Sequence, residues 1–354
     1  MVKILHGADF HLDTRFESLP PEKAKDQRRE QRRMLHEMAT LVKTEKVQLV
    51  LLSGDLLDSG LSYYETHEAL RDALEEMSVP VYIAPGNHDW YSPRCTYATL
   101  KFPGNVHIFT RPEPEYADIP ELGVRVWGAA FTSPVMPSML DGFKAAESEL
   151  VNIMTVHGEL GGETYAPIDE RVIGETGLDY LALGHVHTFS GIMRAGNTYY
   201  AYPGCPMGRG FDETGRKGVI IGSVDKGTCD LRFTPLSARE YRIIKATEKK
   251  LDSVIPDDGR DVICRLILTG EWSGKPDVSA VTARYSDCFF HLSVKDETRP
   301  IADIWSGMGE DNLRGLFLRM MREKYDAAEV DRDGILLATE YGLAAIDNRE
   351  EVEM

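Results

Sequence analysis

Five short polar blocks carry most of the chemistry that this chain's residue types can offer. They are Asp9-Phe10-His11, Gly54-Asp55, Gly86-Asn87-His88-Asp89, His157-Gly158 and Gly184-His185-Val186-His187, and they hold five of the ten histidines. Each block follows a run of strand-forming residues, so each stands at a strand's carboxyl end, where α/β sheets place their ligands. Taken alone, each block is a weak signal: Asp and Asn after a strand often only make turns, and a lone HxH is more often incidental than a ligand pair. Together they supply two carboxylates (Asp9, Asp55), an amide oxygen (Asn87) and four imidazoles (His11, His157, His185, His187). Oxygen and nitrogen donors in that number suit a two-metal centre for Mn²⁺, Fe²⁺ or Zn²⁺. The neighbouring glycines allow close backbone approach and positive φ.

Such a centre needs a rigid frame, and the first 130 residues provide a regular alternation. VKIL (2–5), VQLVLLSG (47–54) and VPVYIA (79–84) read as strands, and the apolar continuity of the second marks burial on both faces. Helical stretches at about 26–46 and 63–77 separate them, which implies parallel pairing with right-handed crossovers. Arg28, Arg29, Arg32 and Arg33 on the first helix read as a solvated face rather than a binding stripe.

After Pro103 the strands shorten. VRVWGAAF (124–131), NIMTVHG (152–158), LDYLALGH (178–185), TYYAYPG (198–204), KGVIIGSVD (217–225) and TCDLRFTPL (228–236) suggest a second sheet packed on the first. With helices outside, the expected architecture is a four-layer αββα sandwich. A polar stretch near residue 240 opens a small α/β unit over 241–305, with a helix near 278–285. In 306–354, Leu313, Leu316, Phe317 and Met320 fall at helical spacing, and a second helix is expected at about 333–346. Its apolar stripe serves either its own domain or a partner.

Composition narrows the class. No run of about 18 apolar residues exists, so no membrane span is expected. Five scattered cysteines, never in CxxC pairs, argue for a reducing compartment and against a thiolate-bound zinc. The N-terminus lacks the apolar core of a secretory signal, so a cytoplasmic location is expected. A formal net charge of −17 counts against avid unaided DNA binding.

The order DxH, GD, GNHD, H, GHxH resembles the calcineurin-like metallophosphoesterases. That resemblance implies Asp9, His11, Asp55 and His187 around one metal, and Asp55, Asn87, His157 and His185 around a second. Between them a shared water would ionise and attack phosphorus in line. His88 would face the leaving group as acid, and Asp58 of GDLLD would orient it; a turn or helix cap is the alternative role for Asp58. ILHGADFHLD, GDLLDSG and the segment after residue 240 further resemble the SbcD-type DNA repair nucleases, and RLILTG, HLSVKDETRP and LRGLFLRMM their YhaO-type exonuclease branch. This implies Mn²⁺-dependent 3′→5′ exonuclease and single-strand endonuclease activity on DNA. It also implies a capping domain over 241–305, docking of 306–354 on the coiled coil of an SbcC-like ABC ATPase, and a homodimer formed near residues 63–77 and 92–101. Arg15, close behind His11, is a candidate DNA contact. The alternative is a small-molecule or cyclic-nucleotide phosphodiesterase working without a partner.

Overall fold

The structure is a computed structural model, and it describes residues 1–59, 62–301, 303–328 and 330–347. The first sheet begins with four parallel strands, β1 (Val2–Gly7), β2 (Leu49–Leu52), β3 (Val81–Ile83) and β4 (Val106–Ile108). Helix α1 (Pro21–Thr44) links β1 to β2, and α2 (Tyr64–Met77) links β2 to β3. Proline at the first position starts α1 earlier than the polar pattern suggests, because its fixed φ suits a helix's first turn. The short helix α3 (Thr96–Thr99) precedes β4.

The chain then builds a second sheet from β5 (Glu115–Ile119), β6 (Val124–Gly128), β7 (Val151–His157), β8 (Tyr180–Gly184), β9 (Met193–Ala195) and β10 (Thr198–Ala201). Its order is β5-β6-β7-β8-β10-β9, and helix α4 (Glu170–Glu175) lies between β7 and β8 in sequence. Alternation along the strands sorts their side chains into separate cores. Ile4, Leu49, Leu51, Ile153 and Tyr180 share the core common to both sheets. Leu5, Val50 and Leu52 join Met34, Met38 and Leu74 of the two long helices. Met154, Val156, Leu181 and Leu183 meet Ile173 of α4 and the loop residues Phe131 and Leu140. Helices, sheet, sheet and a mixed helix–loop cover follow in that order, a mixed α/β fold consistent with the expected sandwich.

One expectation is corrected. Strands β11 (Gly218–Asp225) and β12 (Thr228–Pro235) do not extend the second sheet but return to the first, whose order is β12-β11-β1-β2-β3-β4. Strand β11 runs antiparallel to β1, with Val2 opposite Val224 and His6 opposite Ile220. The turn to β12 is Lys226-Gly227, with Gly227 at φ 65°. Ile220 and Val224 enter the inter-sheet core, while Val219 and Ile221 enter the helix-side core. The same alternation would serve either sheet, so periodicity did not reveal the choice.

Three further strands, β13 (Glu240–Ala246), β14 (Val262–Trp272) and β15 (His291–Pro300), form a separate sheet in that order. Helix α5 (Val278–Tyr285) stands between the last two in sequence, and α6 (Leu313–Ala327) and α7 (Arg332–Ile346) follow. Asn312 caps α6, accepting from Gly315 N at 2.8 Å. The chain divides into two compact units, Met1–Ile243 with Asp257–Arg265 and Tyr285–Ser293, and Ile244–Pro256 with Leu266–Arg284 and Val294–Met354. Among the described residues no helix is long and apolar enough to cross a membrane.

Candidate metal centre

Every one of the five polar blocks falls just past the carboxyl end of β1, β2 or β3 in the first sheet, or at that of β7 or β8 in the second. The loops are laced to one another by backbone. Asp9 N donates to Gly54 O at 3.0 Å, His11 N to Asp55 O at 2.9 Å, and Gly158 N to Gly184 O at 3.0 Å. Four of the candidate ligands hold positive φ, at 55° for Asp9, 42° for His11, 50° for Asp55 and 115° for His185. Non-glycine residues adopt such angles at a cost, and they concentrate where function over-determines the backbone. A Cβ on Gly86 would overlap the Asp55 carboxylate, and one on Gly184 would overlap Ser53 O. The glycines of these motifs therefore set the closeness of the loops.

The side chains gather in two groups that share Asp55. In the first, His11 Nε2 lies 3.3 Å from His187 Nε2 and 3.6 Å from Asp55 Oδ2, and His187 Nε2 is 3.9 Å from Asp9 Oδ1. In the second, Asn87 Oδ1 lies 2.9 Å from His157 Nε2 and 3.2 Å from His185 Nδ1, with Asp55 Oδ2 3.4 Å from His157 Nε2. The seven residues expected as ligands are thus brought together.

Their hydrogen bonding tests whether they suit metal ions. His157 Nδ1 faces the Ser53 carbonyl at 2.9 Å, and a carbonyl only accepts, so the proton sits on Nδ1. The lone pair of Nε2 is then turned on Asn87 Oδ1, another acceptor. His187 Nδ1 meets both Glu213 Oε1 at 2.6 Å and Arg209 Nη2 at 2.8 Å; the shorter contact, to a carboxylate that can only accept, places the proton on Nδ1 and leaves Nε2 with its lone pair towards His11. Nδ1 of His11, though 3.3 Å from Asp58 Oδ1, is buried without an aligned hydrogen bond. Acceptors converging on acceptors inside a buried pocket are expensive unless a cation satisfies them. The donor set fits.

Protonation tells the same story. Burial pushes His11, His157 and His185 each down to about 4, keeping the imidazoles neutral lone-pair donors near neutrality. Burial, and then the Asp55 charge beside it, raise Asp9 well above the usual carboxylate range. A divalent ion held beside Asp9 would offset that cost of charge.

His88 and Asp58 also meet, but not as the sequence suggested. His88 Nδ1 lies 3.2 Å from the backbone carbonyl of Asp58, while the Asp58 carboxylate faces His11 and, at 3.5 Å, Arg209. His88 is exposed, and its ring sits edge-on to His11 at 4.8 Å.

Sequence reasoning missed three positioning residues. Buried Asp89 accepts from Gly86 N at 2.8 Å, Leu56 N at 2.7 Å and Leu57 N at 3.1 Å, and from Asp55 N and Tyr97 Oη as well. It ties the β2 and β3 loops into one piece. Glu213 orients His187 and is held in turn by Arg209, whose Nη2 donates to Oε1 at 2.7 Å. Burial would raise the Glu213 pKa, yet the bonds from His187 and Arg209 prevail and hold it far below the ordinary value. Asp89 stood within the quoted GNHD block and gave a signal; Arg209 and Glu213 carried none.

The calcineurin-like phosphoesterase family matches residues 2–189, and the chain belongs to that family, hydrolases that act on phosphoester bonds through a dinuclear metal centre. It is 28% identical over 298 residues to the uncharacterized metallophosphoesterase YhaO of Bacillus subtilis strain 168, covering 76% of this chain and 72% of that one. With the D component of the nuclease SbcCD from the same organism it shares 26% identity over 266 residues, covering 62% and 66%. The corresponding SbcCD component of Staphylococcus epidermidis is 23% identical, covering 69% and 72%.

Proposed function

We propose that the chain is a metal-dependent nuclease that hydrolyses DNA phosphodiester bonds during break repair, as a 3′→5′ exonuclease and single-strand endonuclease. The observation that carries this reading is the pair of donor groups sharing Asp55 Oδ2, together with relatives named as nuclease components. Asp9, His11, Asp55 and His187 would hold one ion, and Asp55, Asn87, His157 and His185 the other, with Mn²⁺ the preferred metal. Two divalent cations held there would supply acidification of a water nucleophile and withdrawal of charge from the phosphoryl oxygens.

The chain's own contribution is orientation and proton supply. The Asp58 carbonyl requires a proton on His88 Nδ1, so Nε2 is the atom that gains and releases the mobile proton. His88 donates that proton to the departing ester oxygen. Glu213 and the Ser53 carbonyl fix the tautomers of His187 and His157, so neither ring reorients during turnover.

The wider assignments follow the same reading. Residues 1–240 form the phosphoesterase domain, 241–305 cap it, and 306–354 dock on an SbcC-like ATPase in the cytoplasm. Leu313, Leu316 and Met320 expose a stripe on α6, at 69%, 50% and 55%, that supports such docking. The domain pairs as a homodimer near residues 63–77 and 92–101.

The charge of −17 favours a second reading, a cyclic-nucleotide or other small-molecule phosphodiesterase. End-labelled duplex and single-stranded DNA, incubated with Mn²⁺ beside cyclic nucleotides, separate the two. Shortening of DNA from its 3′ end is the expected result. Fast turnover of cyclic nucleotide with intact DNA overturns the nuclease reading.

A further inference from the structure

Beside the candidate centre lies an open cleft of about 680 Å³ whose lining includes Arg15, Asp58, Arg209, Phe211 and Arg265. Asp58 and Arg209 belong to both places, since their side chains reach His11 and His187. The cleft therefore begins where the reacting phosphorus would sit. Arg265 comes from β14 and sets its guanidinium carbon 4.0 Å from the centre of the Phe211 ring, which is braced edge-on by Tyr241 at 5.1 Å. Arg265 is held by the Phe211 ring, and among the described residues neither it nor Arg15 has an ion pair. Arg209 is different, being committed to Glu213.

The charge of the lining decides what it takes. Three arginines face Glu17, Asp58 and Asp212, so the cleft is near balance and is a poor trap for a bare phosphate. A nucleotide within a strand is a better match. Its base can stack on a guanidinium plane already held against an aromatic ring, and its backbone can meet Arg15. The acidic groups can accept from a base's exocyclic amino group.

We infer that this cleft is a strand-binding subsite, in which the Arg265–Phe211 pair stacks an unpaired base next to the scissile phosphodiester and Arg15 meets the adjoining phosphate. It rests on the nuclease reading and adds a preference for single-stranded polynucleotide over small diesters. With the lining near charge balance, the subsite would hold a strand chiefly by its stacking platform, with Arg15 and Arg265, in no ion pair among the described residues, adding local contacts.

The test compares wild type with Arg265→Ala, Phe211→Ala and the charge-keeping Arg265→Lys, all Mn²⁺-loaded. Substrates are a single-stranded oligonucleotide, the same strand with an abasic nucleotide beside the cleaved bond, and bis(p-nitrophenyl) phosphate. Removing one stacking partner should raise the KM for the intact strand roughly tenfold more than that for the small diester, with kcat less affected. Arg265→Lys should resemble Arg265→Ala, and the abasic strand should erase the difference between wild type and variants. Fluorescence anisotropy of the labelled strand in EDTA gives the same ranking without turnover. If wild type cuts DNA and the variants match it, the subsite is wrong and the nuclease reading stands. Equal losses on both substrates make the pair structural and also overturn the subsite. A wild type that turns over the small diester but no oligonucleotide removes the nuclease reading and the subsite together.

Discussion

At the residue scale the question is which side chains hold ions and which act on substrate. His88 contacts the ligand array only through its backbone and its ring: its N–H donates to Asp55 Oδ1 at 2.9 Å, and the imidazole is exposed. Replacing it with alanine keeps that N–H and every donor atom. His88→Ala should therefore lower kcat by about 10²- to 10⁴-fold, the usual worth of a positioned acid, while binding Mn²⁺ as wild type does in calorimetry. Loss of metal stoichiometry would place His88 among the ligands instead. Glu213 makes the opposite case. Glu213→Gln keeps an acceptor for His187 Nδ1 but discards the charge that opposes Arg209. The expected result is a 10- to 100-fold weaker affinity at one of two sites, with the other unchanged; equal weakening of both would show a wider collapse.

Elements explain why the ligands were legible and their supports were not. Asp9, Asp55, Asn87, His157 and His185 each follow a strand of strong apolar pattern, so composition alone marked both the strand and its polar end. Glu213 lies in an irregular stretch between β10 and β11, and only the folded loop brings it to His187. The β11–β12 hairpin escaped for a related reason: its alternation fixes two faces but says nothing of which edge it joins, and β1 lies more than 200 residues away in sequence. Beneath the loops, His6 of β1 is buried between the sheets with Tyr180 Oη at 2.8 Å and Ser53 Oγ at 3.1 Å. Burial lowers its pKa to about 3, against the hydrogen bond to the Leu183 carbonyl. A histidine depressed in the fold takes up its proton only on unfolding between pH about 6.5 and about 3. The unfolded state binds more protons in that window, so stability is lost as pH falls through it. In His6→Gln the loss between pH 7 and pH 5 should shrink by about 2 kcal/mol, read from urea melts at each pH. An unchanged pH slope would mean that other groups carry the acid sensitivity.

For the whole molecule, the centre is a store of unfavourable contacts as well as a catalyst. Asp9, His11, Asp55 and His157 are buried, four candidate ligands sit at positive φ, and the lone pair of His157 Nε2 faces acceptors at 2.9 and 3.4 Å. The three cores around the sandwich must hold this arrangement together. Cations that bind the folded chain and not the unfolded one relieve it, each adding about 2.7 kcal/mol at a hundredfold excess over its Kd. Saturating Mn²⁺ should therefore raise the midpoint of thermal unfolding by several degrees over the EDTA-treated protein, since each kcal/mol shifts a large domain by roughly 2–4 °C. The shift should survive in His88→Ala. In Asp55→Asn, whose Oδ2 serves both groups, most of it should vanish together with hydrolysis of every ester. The pairing of the two variants matters, because a general salt effect on an acidic chain would move both alike. An Asp55→Asn protein that still gains the full Mn²⁺ shift would mean that the ions stabilise the chain elsewhere, and that the seven converging side chains are not what holds them.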